Sequence, residues 1–249
     1  MAMLTQLYRY PVKGLSPEPL ECVQVSPLET LPGDRQFALA RATSEFQSQA
    51  PRHLPKTQFL MLMKDEALAA LNSVYDHSTG VLSIYHHQQL QIQGALDQVA
   101  GRRAIEAFFA DYLALAEPPR LVQAPGHSFS DVAAKVLSCI NLASIRALET
   151  ELGTEVHPLR FRANVYFEAT SPWEEFDWVD RVVQLGDIEA RVIKPIQRCA
   201  AVHVNPLTAE RDLPILNTLS RCFGHCNMGI YVQILQAGHL KVKDIFTVK

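Results

Sequence analysis

The chain has 249 residues, 48% of them hydrophobic, and 23 basic against 26 acidic residues leave a formal net charge of −3. A chain of this size can bury the core of one large domain or two small ones. The small net charge and the dispersed cations argue against a nucleic-acid partner. The longest apolar runs, such as residues 59–63, are far shorter than the roughly twenty residues of a transmembrane helix, so we expect no membrane span.

The five cysteines are also evidence for the cellular location of the protein. They are odd in number and widely spread, at Cys22, Cys139, Cys199, Cys222 and Cys226. The N-terminus shows neither the basic stretch nor the apolar core of a signal peptide. We therefore expect a cytoplasmic protein with free thiols rather than a disulfide framework.

Hydrophobic periodicity predicts a first half rich in strands. Strands are expected over residues 4–12 and 36–40, a helix over 64–75, a hairpin of strands 81–85 and 90–93, and a buried helix over 103–116. Pro118 and Pro119 then prevent the helix from continuing. This is the predicted boundary between a domain over residues 1–118 and a second over 119–249.

The second half begins with the strongest helix signal of the chain. Asn141 can cap a helix that Gly153 ends. Strands are expected over 181–185 and 188–193 around the turn residues Gly186 and Asp187, and a similar hairpin over 231–235 and 239–242. The predicted fold is α+β and β-rich, with barrel-like domains in both halves and flanking helices.

One cysteine is a candidate for chemistry. If residues 197–206 form a strand, alternation places Cys199, Ala201 and His203 on the face opposite Val202 and Val204. Arg198 precedes Cys199, and a guanidinium near a thiol favours the thiolate, which attacks electrophiles and binds soft metals. A packed, inert cysteine beside a surface arginine remains the alternative. Cys222, His225 and Cys226 form only one short zinc knuckle, which argues against a zinc site.

A second segment suggests anion binding. On a strand over residues 159–167, Arg160, Arg162 and Asn164 would share one face. Two guanidiniums and an amide there could bind a phosphate or a carboxylate. A solvated strand face is the alternative that the pattern leaves open.

Several short motifs occur in a recognisable order. They are residues 10–13 (YPVK), 33–35 (GDR), 127–131 (HSFSD), 160–164 (RFRAN), 198–199 (RC), 205–211 (NPLTAER), and 229–231 (GIY) with 238–244 (GHLKVKD). In this order they resemble the MOSC family, the fold named after the C-terminal domain of molybdenum cofactor sulfurase, preceded by its usual N-terminal β-barrel domain. The resemblance includes the mitochondrial amidoxime-reducing component and bacterial reductases of N-hydroxylated bases.

The resemblance implies a cofactor and its ligands. The cofactor is the molybdenum cofactor, Mo-molybdopterin, and the metal ligand is Cys199, which is also the implied catalytic residue. The residues implied to hold the pterin and its phosphate are Lys13, Arg35, Arg162, Asn164, Arg198 and Tyr231. Gly14 and Gln197 depart from the family pattern, since relatives often have hydroxyl residues there.

The resemblance also implies an activity. We expect an oxidoreductase that reduces small N-hydroxylated substrates. Some relatives carry an iron–sulfur domain after the MOSC domain, and we do not expect one here, because the sequence ends at Lys249 shortly after the last expected strand. The expected electron donor is therefore a separate ferredoxin- or flavin-type reductase. Two alternatives stay open: a sulfur carrier or transferase with a persulfide on Cys199, and a binding module for the cofactor without catalysis.

Overall fold

The structure is a computed structural model that describes residues 2–249. The elements up to residue 123 are β1 (Ala2–Arg9), β2 (Glu18–Leu20), β3 (Cys22–Val25), β4 (Phe37–Ala40), β5 (Leu71–Asp76), β6 (Val81–His86), β7 (Gln89–Ala95), α1 (Val99–Tyr112) and β8 (Arg120–Gln123). The later elements are β9 (Leu137–Asn141), α2 (Leu142–Leu152), β10 (Val165–Glu168), β11 (Val182–Leu185), β12 (Ile188–Gln197), α3 (Ile215–Phe223), β13 (Asn227–Ile234), β14 (Gly238–Lys241) and β15 (Ile245–Val248).

Seven strands close into a barrel. Their order is β10, β9, β13, β12, β11, β15 and β1, and β1 pairs with β10 to complete the ring. Apolar side chains from these strands, including Leu4, Val165, Val192 and Val232, are buried together inside it. Closure leaves no open edge among these seven strands. The β-rich α+β fold that the sequence predicts is confirmed.

Strand β2 pairs with β1 at the side of the barrel sheet, and the other strands of the first half belong to smaller sheets. Strand β4 pairs with β8, and β5, β6 and β7 form a meander packed against α1 through a core that includes Leu82, Ile105 and Phe109. These are separate sheets, so the barrel expected in the first half is not confirmed.

The strands do not divide at the proline pair. Strand β1 pairs with β10 and β15 of the second half, and β3 pairs with β14. Strand β8, which follows Pro118 and Pro119, pairs back with β4. The two domains over residues 1–118 and 119–249 stay a prediction. Strands on either side of that boundary pair with each other.

Elements with strong local signals occur where the sequence predicts them. The Asn141 side chain accepts a hydrogen bond from the Ala143 backbone N–H at the start of α2, and Gly153 ends the helix with a φ of 68°. The predicted hairpin partners β6 and β7 pair, as do β11 and β12. Helix α1 starts at Val99 and ends at Tyr112, earlier at both ends than the range 103–116.

Two local predictions are wrong. Residues 64–75 are not a helix, because a 3-10 turn over Glu66–Ala70 leads directly into β5, and Leu71 and Tyr75 fit strand alternation as well as helical spacing. Strands β13 and β14 do not form a hairpin with each other. Strand β13 instead pairs with the barrel strands β9 and β12, and β14 pairs with β3 in a separate sheet, because strands distant in sequence compete with the local turn.

Within residues 2–249, no helix is long and apolar enough to cross a lipid bilayer.

Gly229 allows two barrel strands to approach closely. It lies on β13 with a φ of 76°, and a Cβ there would lie 2.2 Å from the Cys139 carbonyl oxygen on β9. Gly153 has a similar φ of 68°, but a Cβ there would have no neighbour within 4 Å. The two glycines thus share the backbone conformation and differ in steric space.

We therefore predict that Gly229→Ala destabilises the protein far more than Gly153→Ala. Left-handed strain alone costs about 1–2 kcal/mol, which is the expected loss for Gly153→Ala. The clash should add roughly 2 kcal/mol or more in the free energy of unfolding for Gly229→Ala. Urea denaturation of both variants measures the difference, and equal losses would contradict the packing described.

Candidate functional site

A cavity of about 520 Å³ lies where the barrel meets the loops of the first half. It is lined by all seven residues that the resemblance singles out, which are Lys13, Arg35, Arg162, Asn164, Arg198, Cys199 and Tyr231. These residues are up to 218 positions apart in sequence (231 − 13 = 218). The structure thus brings the predicted site together in one place, while the role of each residue stays a prediction.

Two guanidinium groups contact one tyrosine ring. The guanidinium carbons of Arg35 and Arg162 each lie 4.5 Å from the centre of the Tyr10 ring. Such cation–π contacts strengthen when they are removed from water. Tyr10 is fully buried, and burial raises the pKa of its hydroxyl to about 12. Its neutral, buried ring thus contacts both cations.

Backbone contacts fix this arrangement. The Tyr10 backbone N–H donates to Asp34 Oδ1 (2.9 Å), and Asp34 also pairs with Arg35. Arg35 Nη2 donates to the Arg162 carbonyl (2.8 Å), and Arg162 Nη2 donates to the Leu15 carbonyl (2.7 Å). Arg35 and Arg162 have φ values of 49° and 50°, a strained conformation that surrounding structure must hold in place.

The predicted strand over residues 159–167 is wrong in its first half. Pro158–Phe161 form a 3-10 turn that Arg162 ends, and β10 begins only at Val165. Arg160 and Arg162 therefore do not share a strand face. Arg160 Nη1 donates to the His203 carbonyl (2.9 Å) and its guanidinium pairs with Asp212, which withdraws it from the predicted clamp even though it lines the cavity.

Asn164 is engaged inside the protein. Its Oδ1 accepts from the backbone N–H (3.2 Å) and the hydroxyl (2.9 Å) of Ser138, and its Nδ2 donates to the Tyr8 carbonyl (3.3 Å). Ser138 lies on β9 and Tyr8 on β1. Asn164 thus joins two barrel strands beneath the cavity, and most of its hydrogen-bonding capacity is used there.

Two lysines share one carboxylate at the side of the cavity formed by the first half. Lys13 Nζ donates to the Phe129 carbonyl (2.8 Å) and to Asp131 Oδ1 (2.5 Å). Lys56 Nζ lies 3.4 Å from the second oxygen of Asp131. Burial lowers the pKa of Lys13 despite Asp131. Burial alone would raise the pKa of Asp131, but Lys13 and Lys56 hold it well below its usual range.

The predicted strand over residues 197–206 is also wrong. Strand β12 ends at Gln197, and Cys199 caps a 3-10 turn over Ala200–His203. The Arg198 backbone N–H donates to the carbonyl of Cys226, the residue before β13 (2.8 Å). This hydrogen bond joins the two segments just before the turn begins. Cys199 is partly exposed and unbridged, so its thiol is open to ligands in the cavity.

Arg198 is held by backbone carbonyls rather than by an acid. Its Nε and Nη2 donate to the Met228 carbonyl (2.9 and 2.6 Å), and its Nη1 donates to the Phe161 carbonyl (3.0 Å). These bonds tie the residue before Cys199 to β13 and to the 3-10 turn at Phe161. Arg198 therefore fixes the position of Cys199 and brings a positive charge to the cavity wall.

The cavity carries an excess of positive charge. Its basic lining residues are Lys13, Arg35, Lys56, Arg160, Arg162, Lys194 and Arg198, and its acidic ones are Asp34 and Asp131. In the part of the chain that the structure describes, no carboxylate lies within 4.0 Å of Arg162, Lys194 or Arg198. Burial lowers the pKa of both Arg162 and Arg198. An anionic ligand would compensate these charges.

Sequence reasoning missed three participants. Tyr10 stands in the quoted YPVK motif, but nothing in the sequence shows that two arginines contact its ring. Lys56 and Lys194 are single lysines without a motif, and only folding places them beside the cavity. Among residues 2–249, no three His, Cys, Asp or Glu side chains gather where they could hold a metal ion.

Comparisons with known proteins identify the second half. Residues 125–247 match the model of the MOSC domain. A molybdenum cofactor sulfurase of Drosophila mojavensis is 35% identical over 97 residues, which are 39% of this chain and 12% of that protein. That of Drosophila erecta is 31% identical over 138 residues, 52% of this chain and 17% of the relative. The chain thus spans a small part of these curated relatives.

Among solved structures, the YUAD protein from Bacillus subtilis aligns with 98% of this chain and 93% of its own, at 10% identity and a TM-score of 0.48. YiiM from Geobacillus stearothermophilus aligns with 45% of this chain and 53% of its own, at 17% identity and a TM-score of 0.35. The sequence match supplies the assignment. Residues 125–247 are therefore identified as a MOSC domain.

Proposed function

We propose that the cavity binds the molybdenum cofactor with Cys199 as a ligand of the metal, and that the protein reduces small N-hydroxylated molecules. The MOSC domain and the named relatives support a function related to this cofactor. The observation that carries the finer proposal is that Cys199 lines the same cavity as Arg162 and Arg198, two cations without an acidic partner among the described residues.

The residues present fit a phosphorylated pterin. The cavity volume of about 520 Å³ falls within the roughly 300–1,000 Å³ typical of cofactor sites. A phosphate carries about −1.5 to −2 charges, which Lys13, Arg35 and Arg162 would compensate. Asn164, Arg198 and Tyr231 would hold the pterin. A thiolate such as that of Cys199 is a soft ligand suited to a redox-active metal.

When bound, the cofactor supplies the redox centre at which the substrate loses its oxygen. The overall change is R–NHOH + 2 e⁻ + 2 H⁺ → R–NH₂ + H₂O. The electrons come from a separate ferredoxin- or flavin-type reductase, and the reaction takes place in the cytoplasm. The protein must therefore hold the metal, orient the substrate and provide protons.

Two side chains that line the cavity with Cys199, those of Tyr231 and Lys56, can donate hydrogen bonds or protons. Burial raises the pKa of Tyr231, so its hydroxyl is protonated at neutral pH. Burial by itself lowers the pKa of Lys56, but Asp131 and Cys199 raise it further than burial lowers it. Lys56 therefore stays a cation beside Cys199 and can donate a proton to the departing oxygen.

We predict that cofactor content depends on Cys199 and Arg162. In protein from a host that makes the cofactor, Cys199→Ser should lose molybdenum, because the soft ligand is gone. Arg162→Met should lower molybdenum and pterin content about tenfold or more, since charge-assisted hydrogen bonds contribute about 1.5–3 kcal/mol each. Metal analysis and pterin fluorescence measure both quantities.

Arg191→Met is the matched control, because Arg191 lies exposed on β12 and outside the cavity. It should retain near-stoichiometric cofactor. Wild-type protein that contains neither molybdenum nor pterin would contradict the proposal.

The second candidate is a sulfur carrier. The curated relatives bear the name molybdenum cofactor sulfurase, and the Cys199 thiol is partly exposed. In this role the Cys199 thiolate attacks the outer sulfur of a donor persulfide. A Cys199 persulfide forms, and the donor thiolate leaves.

If the protein is a sulfur carrier, we expect incubation with a persulfide donor to increase the mass of Cys199 by one sulfur atom. Cys199→Ser should lack the adduct and Cys22→Ser should keep it, because Cys22 is exposed on β3, outside the cavity. Mass spectrometry of the intact protein and its peptides measures the adduct. A chain that carries molybdenum and never the adduct would contradict the carrier.

A further inference from the structure

We propose that the mouth of the cavity selects substrates that carry a carboxylate or another anionic group, and that Lys56 and Lys194 recognise this group. The inference deepens the proposed function and rests on it. It concerns the part of the cavity that remains open to solvent beside Cys199, beyond the cations assigned to the phosphate.

The basic residues differ in depth. The side chains of Lys13 and Arg35 are only 8% and 15% exposed, which places them at the floor of the cavity. The Lys56 side chain is 27% exposed, and Lys194 is exposed. Positive charge therefore continues from the floor to the rim, where an incoming substrate meets it.

Few negative charges oppose the two rim lysines. Asp34 pairs with Arg35, and Asp131 divides its two oxygens between Lys13 and Lys56. Lys194 has no carboxylate within 4.0 Å among residues 2–249. The rim thus keeps a net positive charge after all pairs within the protein are counted.

The position of the two lysines connects this charge to the reacting centre. Lys194 lies on β12 directly opposite Tyr231 on β13, and both line the cavity with Cys199. Lys56 reaches the same wall from the other half of the chain, where its ammonium group pairs with Asp131. A group held between the two lysines would lie beside Cys199.

This charge discriminates between classes of N-hydroxylated substrates. A substrate with a carboxylate can form charge-assisted hydrogen bonds with either ammonium group. A permanently cationic substrate meets like charge, which repels it and slows its entry. Asp131 is the exposed acidic side chain of the lining, and it is already paired with Lys13 and Lys56. Met63, Val132 and Gln197, which are also exposed or partly exposed, carry no charge.

The first test uses the thiol of Cys199 in the cofactor-free full chain. The anionic sulfonatoethyl and the cationic trimethylammonioethyl methanethiosulfonates have similar size, and the same thiolate attacks either one to form a mixed disulfide and release methanesulfinate. The ratio of their rates therefore reports the local charge and not the thiolate fraction. Peptide mapping gives this ratio for Cys199, with exposed Cys22 as a reference in the same molecule.

We expect the ratio of anionic to cationic rates to be about tenfold higher at Cys199 than at Cys22 in low salt, and to fall as ionic strength rises. Lys194→Gln and Lys56→Gln should each lower the ratio at Cys199 several-fold. Lys241 lies opposite Cys22, so Lys241→Gln should lower the ratio at Cys22 and leave Cys199 unchanged. Equal ratios at Cys199 and Cys22 would overturn the proposal. So would a ratio at Cys199 that neither Lys194→Gln nor Lys56→Gln changes.

The second test uses the cofactor-loaded protein and matched substrates. Para-substituted benzamidoximes with a carboxylate, a hydrogen and a trimethylammonium group differ mainly in charge. We expect kcat/KM to fall in that order, and Lys194→Gln to reduce the advantage of the carboxylate over the neutral compound by about tenfold. If the protein converts all three benzamidoximes with equal kcat/KM, the inference is overturned and the proposed function stays intact. If it converts none of them while the thiol ratios are as expected, the proposed function alone is overturned.

Discussion

The central constraint in this molecule is the burial of positive charge that the protein does not itself neutralise. Arg162 and Arg198 lie in the cavity wall without an acidic partner among the described residues, and burial lowers the pKa of each. Burying a charge without a partner is costly. Backbone carbonyls and the Tyr10 ring offset part of that cost. The remainder makes the cavity a site that favours an anion.

The closed barrel is what holds these charges in place. Strand β1 completes the ring between β10 and β15, and the segment that follows β1 brings Lys13 to the cavity wall and the buried Tyr10 ring against Arg35 and Arg162. Strands β12 and β13 bring Arg198 and Tyr231 from the opposite wall. Lys13, Arg162 and Arg198 lie in loops that directly follow or precede strands of this one ring, so the ring limits how far these cations can move apart.

The sequence correctly predicted those elements that depend on residues close to them in the chain. Asn141 and Gly153 bound α2 as expected because a cap and a left-handed terminus depend on few neighbours. The strands expected over residues 159–167 and 197–206 failed because remote partners decide them: Arg160 pairs with Asp212 and Arg198 with the Met228 carbonyl. The resemblance found seven cavity residues through motif order. Lys56 and Lys194 have no motif, so only the folded chain places them there.

The most direct test of the central claim is a crystal structure of the protein purified with its cofactor, with an anomalous difference map at the molybdenum edge. The account predicts one strong peak within bonding distance of Cys199 Sγ, and phosphate density beside Arg162 and Lys13. A molybdenum peak away from Cys199, or a phosphate bound outside this cavity, would contradict it.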